Sequence, residues 1–108
     1  MTTITAANDT ATLINVFTVA PERAQELAAT LHEATEQVMR HQPGFVSANI
    51  HISADRTRVV NYAQWASAGA YAAIFDNPTV TAHMGRAAAM AESFDPKLYH
   101  VQSVHAPA

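Results

Sequence analysis

The sequence predicts an α+β fold, an antiparallel sheet of four strands with its helices on one face. Three observations lead there. Four stretches have the β-rich or alternating pattern of strands, and two have the three-to-four spacing of amphipathic helices. These stretches come in the order strand, helix, strand, strand, helix, strand. Finally, 108 residues with a 49% apolar fraction suffice for the core of one domain and not of two.

Each element has its own warrant. Residues 1–11 hold one large aliphatic beyond Met1 and read as a flexible arm, leaving residues 12–106 as a single domain. Leu13 to Val19 is a β-rich run whose awkward member is the amide of Asn15. Pro21 sits where a helix tolerates proline, at its first turn. From Glu22 to His41 the apolar stripe Ala24, Leu27, Ala28, Leu31, Ala34, Val38 and Met39 predicts one long amphipathic helix, ended by Gln42-Pro43-Gly44. Phe45 to Ser53 alternates, with Phe45, Ser47, Asn49 and His51 on one face, and Ala54-Asp55-Arg56 turns the chain into Thr57 to Trp65. On that second strand Val59, Asn61, Ala63 and Trp65 share a face. Ser67 is the expected cap of a short helix bearing Tyr71, Ile74 and Phe75. After Asp76-Asn77-Pro78, Thr79 is the expected cap of a further helical piece running to about Ala91, its buried side Val80, Met84, Ala87, Ala88 and Ala91. Leu98 to His105, after Pro96, alternates as a last strand.

This βαββαβ order is the ferredoxin-like arrangement. Its second sheet face, expected to carry Ile14, Val16, Ile50, Ile52, Val60 and Tyr62, is too apolar to stay in water, so a second copy is expected to cover it.

Composition removes whole classes of function. Six Arg and Lys against nine acids give a net charge of −3, and no basic cluster exists, which argues against a nucleic-acid partner. No apolar run approaches a membrane span, and no secretory signal is visible at the start of the chain. The absence of Cys excludes disulfides and thiolate chemistry and fits a cytoplasmic protein. Charged residues make up 14%, against about a quarter in an average domain. That shortage fits a surface partly hidden in a homodimer, or simply an Ala- and Thr-rich composition.

The candidate chemistry lies in polar groups where a core belongs. Parity puts Asn61 and Trp65 on one face, with Asn15 on a neighbouring strand. A buried amide without partners costs roughly 1–3 kcal/mol, so these groups are either satisfied by backbone or waiting for a ligand. His51 could enter the same pocket or lie half-exposed on its strand. Tyr71 could offer its phenol or serve as a core aromatic. Arg86 and His83, about one turn apart, could bind an anionic substrate or face solvent. The histidines at 32, 41, 51, 83, 100 and 105 have no HxH or HExxH spacing, and GxGxxG, P-loop and GxSxG motifs are absent.

The runs Pro43-Gly44-Phe45-Val46-Ser47-Ala48 and Val59-Val60-Asn61-Tyr62-Ala63-Gln64-Trp65 resemble those of the antibiotic biosynthesis monooxygenase superfamily. The likeness spans about Leu13 to His105 and is nearest to the anthrone- and quinone-forming oxygenases of actinomycetes. It implies a dimeric α+β barrel, two sheets packed face to face, with a pocket between sheet and helices in each subunit. It also implies a cofactor-independent monooxygenase that oxidises a phenol, anthrone or hydroquinone to a quinone with O2, using neither flavin, haem nor metal. The family's amide and indole match Asn61 and Trp65, and Asn15 matches a first-strand amide of some members, giving a catalytic set of Asn15, Asn61 and Trp65. His51 and Tyr71 match residues that some members use on the substrate. Arg86 matches only loosely, because the loop around Asn77-Pro78 differs in length. Haem degradation, general quinol oxidation or isomerisation, and non-catalytic binding of an aromatic ligand by a dimer are the competing readings. The haem enzymes of this scaffold need a His soon after the Trp, where this chain has Tyr71, Ile74, Phe75 and Asp76.

Overall fold

A computed structural model describes residues 1–6 and 8–108. Strands β1 (Ala11–Thr18), β2 (Phe45–Ile52), β3 (Arg58–Trp65) and β4 (Ser93–Tyr99) form one antiparallel sheet in the order β2-β3-β1-β4. Helices α1 (Ala24–Gln37), α2 (Ala68–Ala73) and α3 (Pro78–Met90) complete the expected ferredoxin-like fold. β1 and β3 are central, and their helix-facing residues Leu13, Phe17, Val59, Ala63 and Trp65 are buried. The edges fall to β2 and to β4, where Pro96 needs no ladder hydrogen bond on its outer side.

The long helix forms as its stripe dictates, but its ends tighten into 3₁₀ turns, Pro21–Arg23 before it and Met39–His41 after it. Gly44 then turns the chain at φ +83°, and a Cβ there would lie 2.5 Å from the Cβ of Ala70. Glycine is required on both counts. Ser67 caps α2 by accepting from the Ala70 N–H. α3 is capped by Asn77 rather than Thr79: the Asn77 side chain accepts from the Thr79 N–H, and Pro78 takes the first helical position.

Three expectations need correction. A bulge between Phe45 and Ser47 breaks the alternation of β2. Phe45 therefore faces the helices, opposite Trp65, while Ser47, Asn49 and His51 stand opposite Gln64, Tyr62 and Val60 on the open face. Ile50 and Ile52 pair with Asn61 and Val59, so they pack under the helices and leave the open face to Ile14, Val16, Val60 and Tyr62. The last strand begins at Ser93 and ends at Tyr99, and residues 100–108 have no regular structure. Its register is set by Phe94 and Leu98 meeting Phe17 and Leu13 across β1. The arm is tied down: the Gln64 amide donates to the Thr3 carbonyl at 2.7 Å, and the Thr2 hydroxyl donates to Ser47 Oγ at 2.9 Å.

The buried layer under the helices divides in two. One cluster gathers Leu13, Ala63, Trp65, Val38, Ile74 and Val80, the other Phe17, Val59, Leu27, Ala28 and Ala87. The division falls where both central strands carry asparagine.

Candidate active site

Asn15 and Asn61 stand directly opposite each other across the β1–β3 pair. Such partners have Cβ atoms roughly 5 Å apart and share a face. With an apolar cluster on either side, this rung opens into a cavity of about 300 Å³ between the sheet, α1 and α3. That lies at the small end of the range for ligand pockets, about 300–1,000 Å³. Its walls are apolar (Leu31, Ile74 and Met84 among them), and its polar lining among the described residues is Asn15, Asn61, Tyr71 and His83. The exposed members of the lining, Phe75, Gly85, Phe94 and Pro96, mark its mouth.

The Oδ1 atoms of Asn15 and Asn61 are buried without a hydrogen-bond partner. A backbone bond could have satisfied them, and none does, so both oxygens are open to a group that enters the cavity. Each amide turns about its last side-chain bond, so each can offer a ligand an N–H or a carbonyl. Tyr71 lines the cavity half-buried, and desolvation raises its phenol above the ordinary pKa of 10.0. It therefore keeps its proton at neutral pH and has a hydroxyl to offer. Among the described residues, no three His, Asp or Glu side chains converge as a metal-binding group.

Three candidates are not on the cavity surface. Trp65 is 2% exposed and sits behind the wall, its ring edge-on to Phe45 at 5.5 Å and tilted against Tyr71 at 6.1 Å. Its indole N–H is buried and unpartnered. His51 faces away from the cavity, exposed on the open side of the sheet, because the bulge at the start of β2 sends the odd positions there. Its Nδ1 lies 3.3 Å from its neighbour's backbone, the Asn49 carbonyl. Arg86 is exposed and outside the lining, and its Nη2 lies 2.7 Å from Nδ1 of His83.

His83, which the sequence offered beside Arg86 as an anion ligand or a solvent-facing residue, lines the cavity. Its signal was present: it lies three residues after Val80 and four before Ala87, both buried, and so belongs to the buried stripe of α3. Phe94 and Pro96 were hidden by the misplaced start of the last strand.

The model of the antibiotic biosynthesis monooxygenase family matches residues 10–86. The chain belongs to that family. It is 48% identical over 83 residues to the tetracenomycin-F1 monooxygenase of Streptomyces glaucescens, covering 77% of this chain and 74% of the relative. Among solved structures, it resembles the monooxygenase from the ActVA-Orf6 gene of Streptomyces coelicolor, determined with nanaomycin D (TM-score 0.81, 26% identity, 91% of this chain and 92% of the other). A mutant of SnoaB, a cofactor-independent oxygenase of Streptomyces nogalater, shares the fold (TM-score 0.70, 23% identity, 89% and 96%). This family member is accordingly a monooxygenase acting on a small molecule and O2. Among the described residues, no helix is long and apolar enough to cross a membrane.

Proposed function

We propose that this monooxygenase oxidises a phenolic polycycle, an anthrone or hydroquinone, to the quinone without flavin, haem or metal. The observation that carries the reading is the pair of unpartnered amides facing each other in an apolar cavity. For an anthrone the balance is one CH2 and one O2 giving one C=O and one H2O. Loss of a proton from the CH2 leaves an anion delocalised onto the ring oxygen. One electron passes from that anion to O2, the two radicals join in a C–O bond, and the resulting hydroperoxide loses water to the new carbonyl. The substrate supplies every electron. The protein's task is to stabilise the anion, exclude water and hold the anion near O2.

Asn15 and Asn61 suit the first task, since two amide N–H groups can meet one oxyanion. The apolar walls suit the second, and Tyr71 adds a neutral hydroxyl. Trp65 fixes the Tyr71 ring from behind. A polycyclic substrate is supported by the relatives, one named for tetracenomycin F1 and one determined with nanaomycin D. A second copy packed on the open face is part of this reading, supported by the half-buried Ile14, Val16, Val60 and Tyr62.

The test is O2 uptake by chelator-treated, flavin-free protein supplied with an anthrone or a naphthohydroquinone. Uptake well above buffer, with one quinone formed per O2, is expected, and a rate equal to buffer overturns the proposal. Haem-dependent oxygenation has one observation in its favour, an imidazole on the cavity wall at His83. A Soret shift on adding haem, lost in His83→Ala, would establish it.

A further inference from the structure

We infer that His83 binds the substrate through its Nε2–H, and that Arg86 is a positioning residue acting on it from outside the cavity. This rests on reading the cavity as a site for an oxygen-bearing polycycle.

The argument starts from one contact. Arg86 Nη2 and His83 Nδ1 are 2.7 Å apart, one helical turn from each other on α3. A guanidinium has N–H groups and no lone pair to offer, and it stays protonated, so it donates and Nδ1 accepts. A neutral imidazole whose Nδ1 accepts carries its proton on Nε2. Nε2 lies across the ring from Arg86 and has no hydrogen-bond partner among the described residues, while the side chain lines the cavity half-buried. The contact leaves that N–H free for a ligand.

Arg86's choice of partner supports the assignment. Elsewhere, Arg23 pairs with Glu26, Arg40 with Glu36 and Lys97 with Asp95, while Arg56 and Arg58 form no ion pair among the described residues. Arg86 forms no ion pair among the described residues, and α3 carries no acid of its own. Its guanidinium is committed to the histidine. The two asparagines donate from the sheet wall and His83 from the helix wall. A flat ligand between them is held at two separate edges.

Two measurements on the full chain test this. The first is the tautomer of His83, read from long-range 1H–15N correlations on 15N-histidine-labelled protein. The proton is expected on Nε2 in the wild type, to be shared between the nitrogens in Arg86→Ala, and to return to Nε2 in Arg86→Lys. The second is binding of 1,8-dihydroxyanthraquinone and of anthracene, followed through the single tryptophan. His83→Phe should weaken the dihydroxy ligand about tenfold, the scale of one lost hydrogen bond, and leave anthracene within about twofold. Equal losses for both ligands, no loss for either, or a wild-type proton on Nδ1 would overturn the inference. Hydroxyl-selective binding through His83 without anthrone turnover keeps this inference and sinks the oxygenase reading. Full turnover with His83→Phe does the reverse.

Discussion

The sheet buries side-chain amides on both its faces, and the two faces treat them in opposite ways. On the open face Gln64 is 3% exposed and saturated. Its carbonyl accepts from the Ser47 hydroxyl at 3.2 Å and the Thr3 N–H at 3.4 Å, and its amide donates to the Thr3 carbonyl. On the helix face, Asn15 and Asn61 leave buried carbonyl oxygens with nothing to accept from. Residue chemistry is the same, and Gln64 and Asn61 even share a strand. What separates them is what lies opposite: the chain's own arm in one case, a void in the other. A buried polar group closed by its own chain holds the fold together, while one left open against a cavity is free to meet whatever enters it.

The comparison can be broken by experiment. The largest effect belongs to Asn61→Ala. Loss of one donor to a developing oxyanion should lower kcat by about 100- to 1,000-fold. The melting temperature should hold or rise, because the variant removes a buried group that had no partner. A variant that melts much lower and keeps its turnover would make Asn61 structural. The opposite pattern is expected of Gln64→Ala, with about 1–3 kcal/mol of stability lost to the stranded Ser47 and Thr3 groups and kcat per folded molecule unchanged. Urea unfolding beside steady-state kinetics separates the two. Deleting residues 1–3 removes the far side of the Gln64 bonds while water can replace it, so a smaller loss is expected, about 0.5–1.5 kcal/mol in the same titration.

The smallest effect is at Asp55, where saturation occurs without burial. Hydrogen bonds from the Thr57 N–H, the Thr57 hydroxyl and the Ser53 hydroxyl lower its pKa from 3.8 to about 2. A carboxylate depressed in the folded state stabilises it fully above the unfolded pKa, and that contribution is lost as pH falls from about 4 towards 2. Asp55→Asn should therefore flatten the pH dependence of the melting temperature within that window and leave activity at neutral pH alone.

Much of the fold was legible because periodicity reports it directly. The α1 stripe, the hairpin between β2 and β3, and the Ser67 cap all follow from spacing and residue type. Where the reading slipped, a local exception was responsible. One extra residue at the β2 bulge reverses parity for everything after Phe45, which put His51 on the wrong face and Ile50 and Ile52 on the open one. Pro96 looked like a strand breaker, yet an edge strand accepts it, so β4 begins five residues before the expected Leu98, at Ser93. At the site, Asn15, Asn61 and Tyr71 were legible as polar groups on apolar faces. His83 and Arg86 read alike as anion ligands or solvent-facing residues, because sequence spacing cannot tell a lining residue from one that reaches it from solvent.

By itself, the sequence determined the element order, the helix-facing identity of Asn15 and Asn61, and the kinship carried by Pro43-Gly44-Phe45 and the run from Val59 to Trp65. These are consequences of neighbours along the chain, where spacing and side-chain chemistry suffice. Only the tertiary structure decided that the two asparagines face each other on one rung, that their carbonyls go unmet, and that His83 rather than His51 or Arg86 borders the cavity. Those facts depend on strand register, on a bulge and on which groups arrive from distant segments to satisfy a buried atom. An amide's meaning lies in its partners, and its partners are chosen when the chain closes around it.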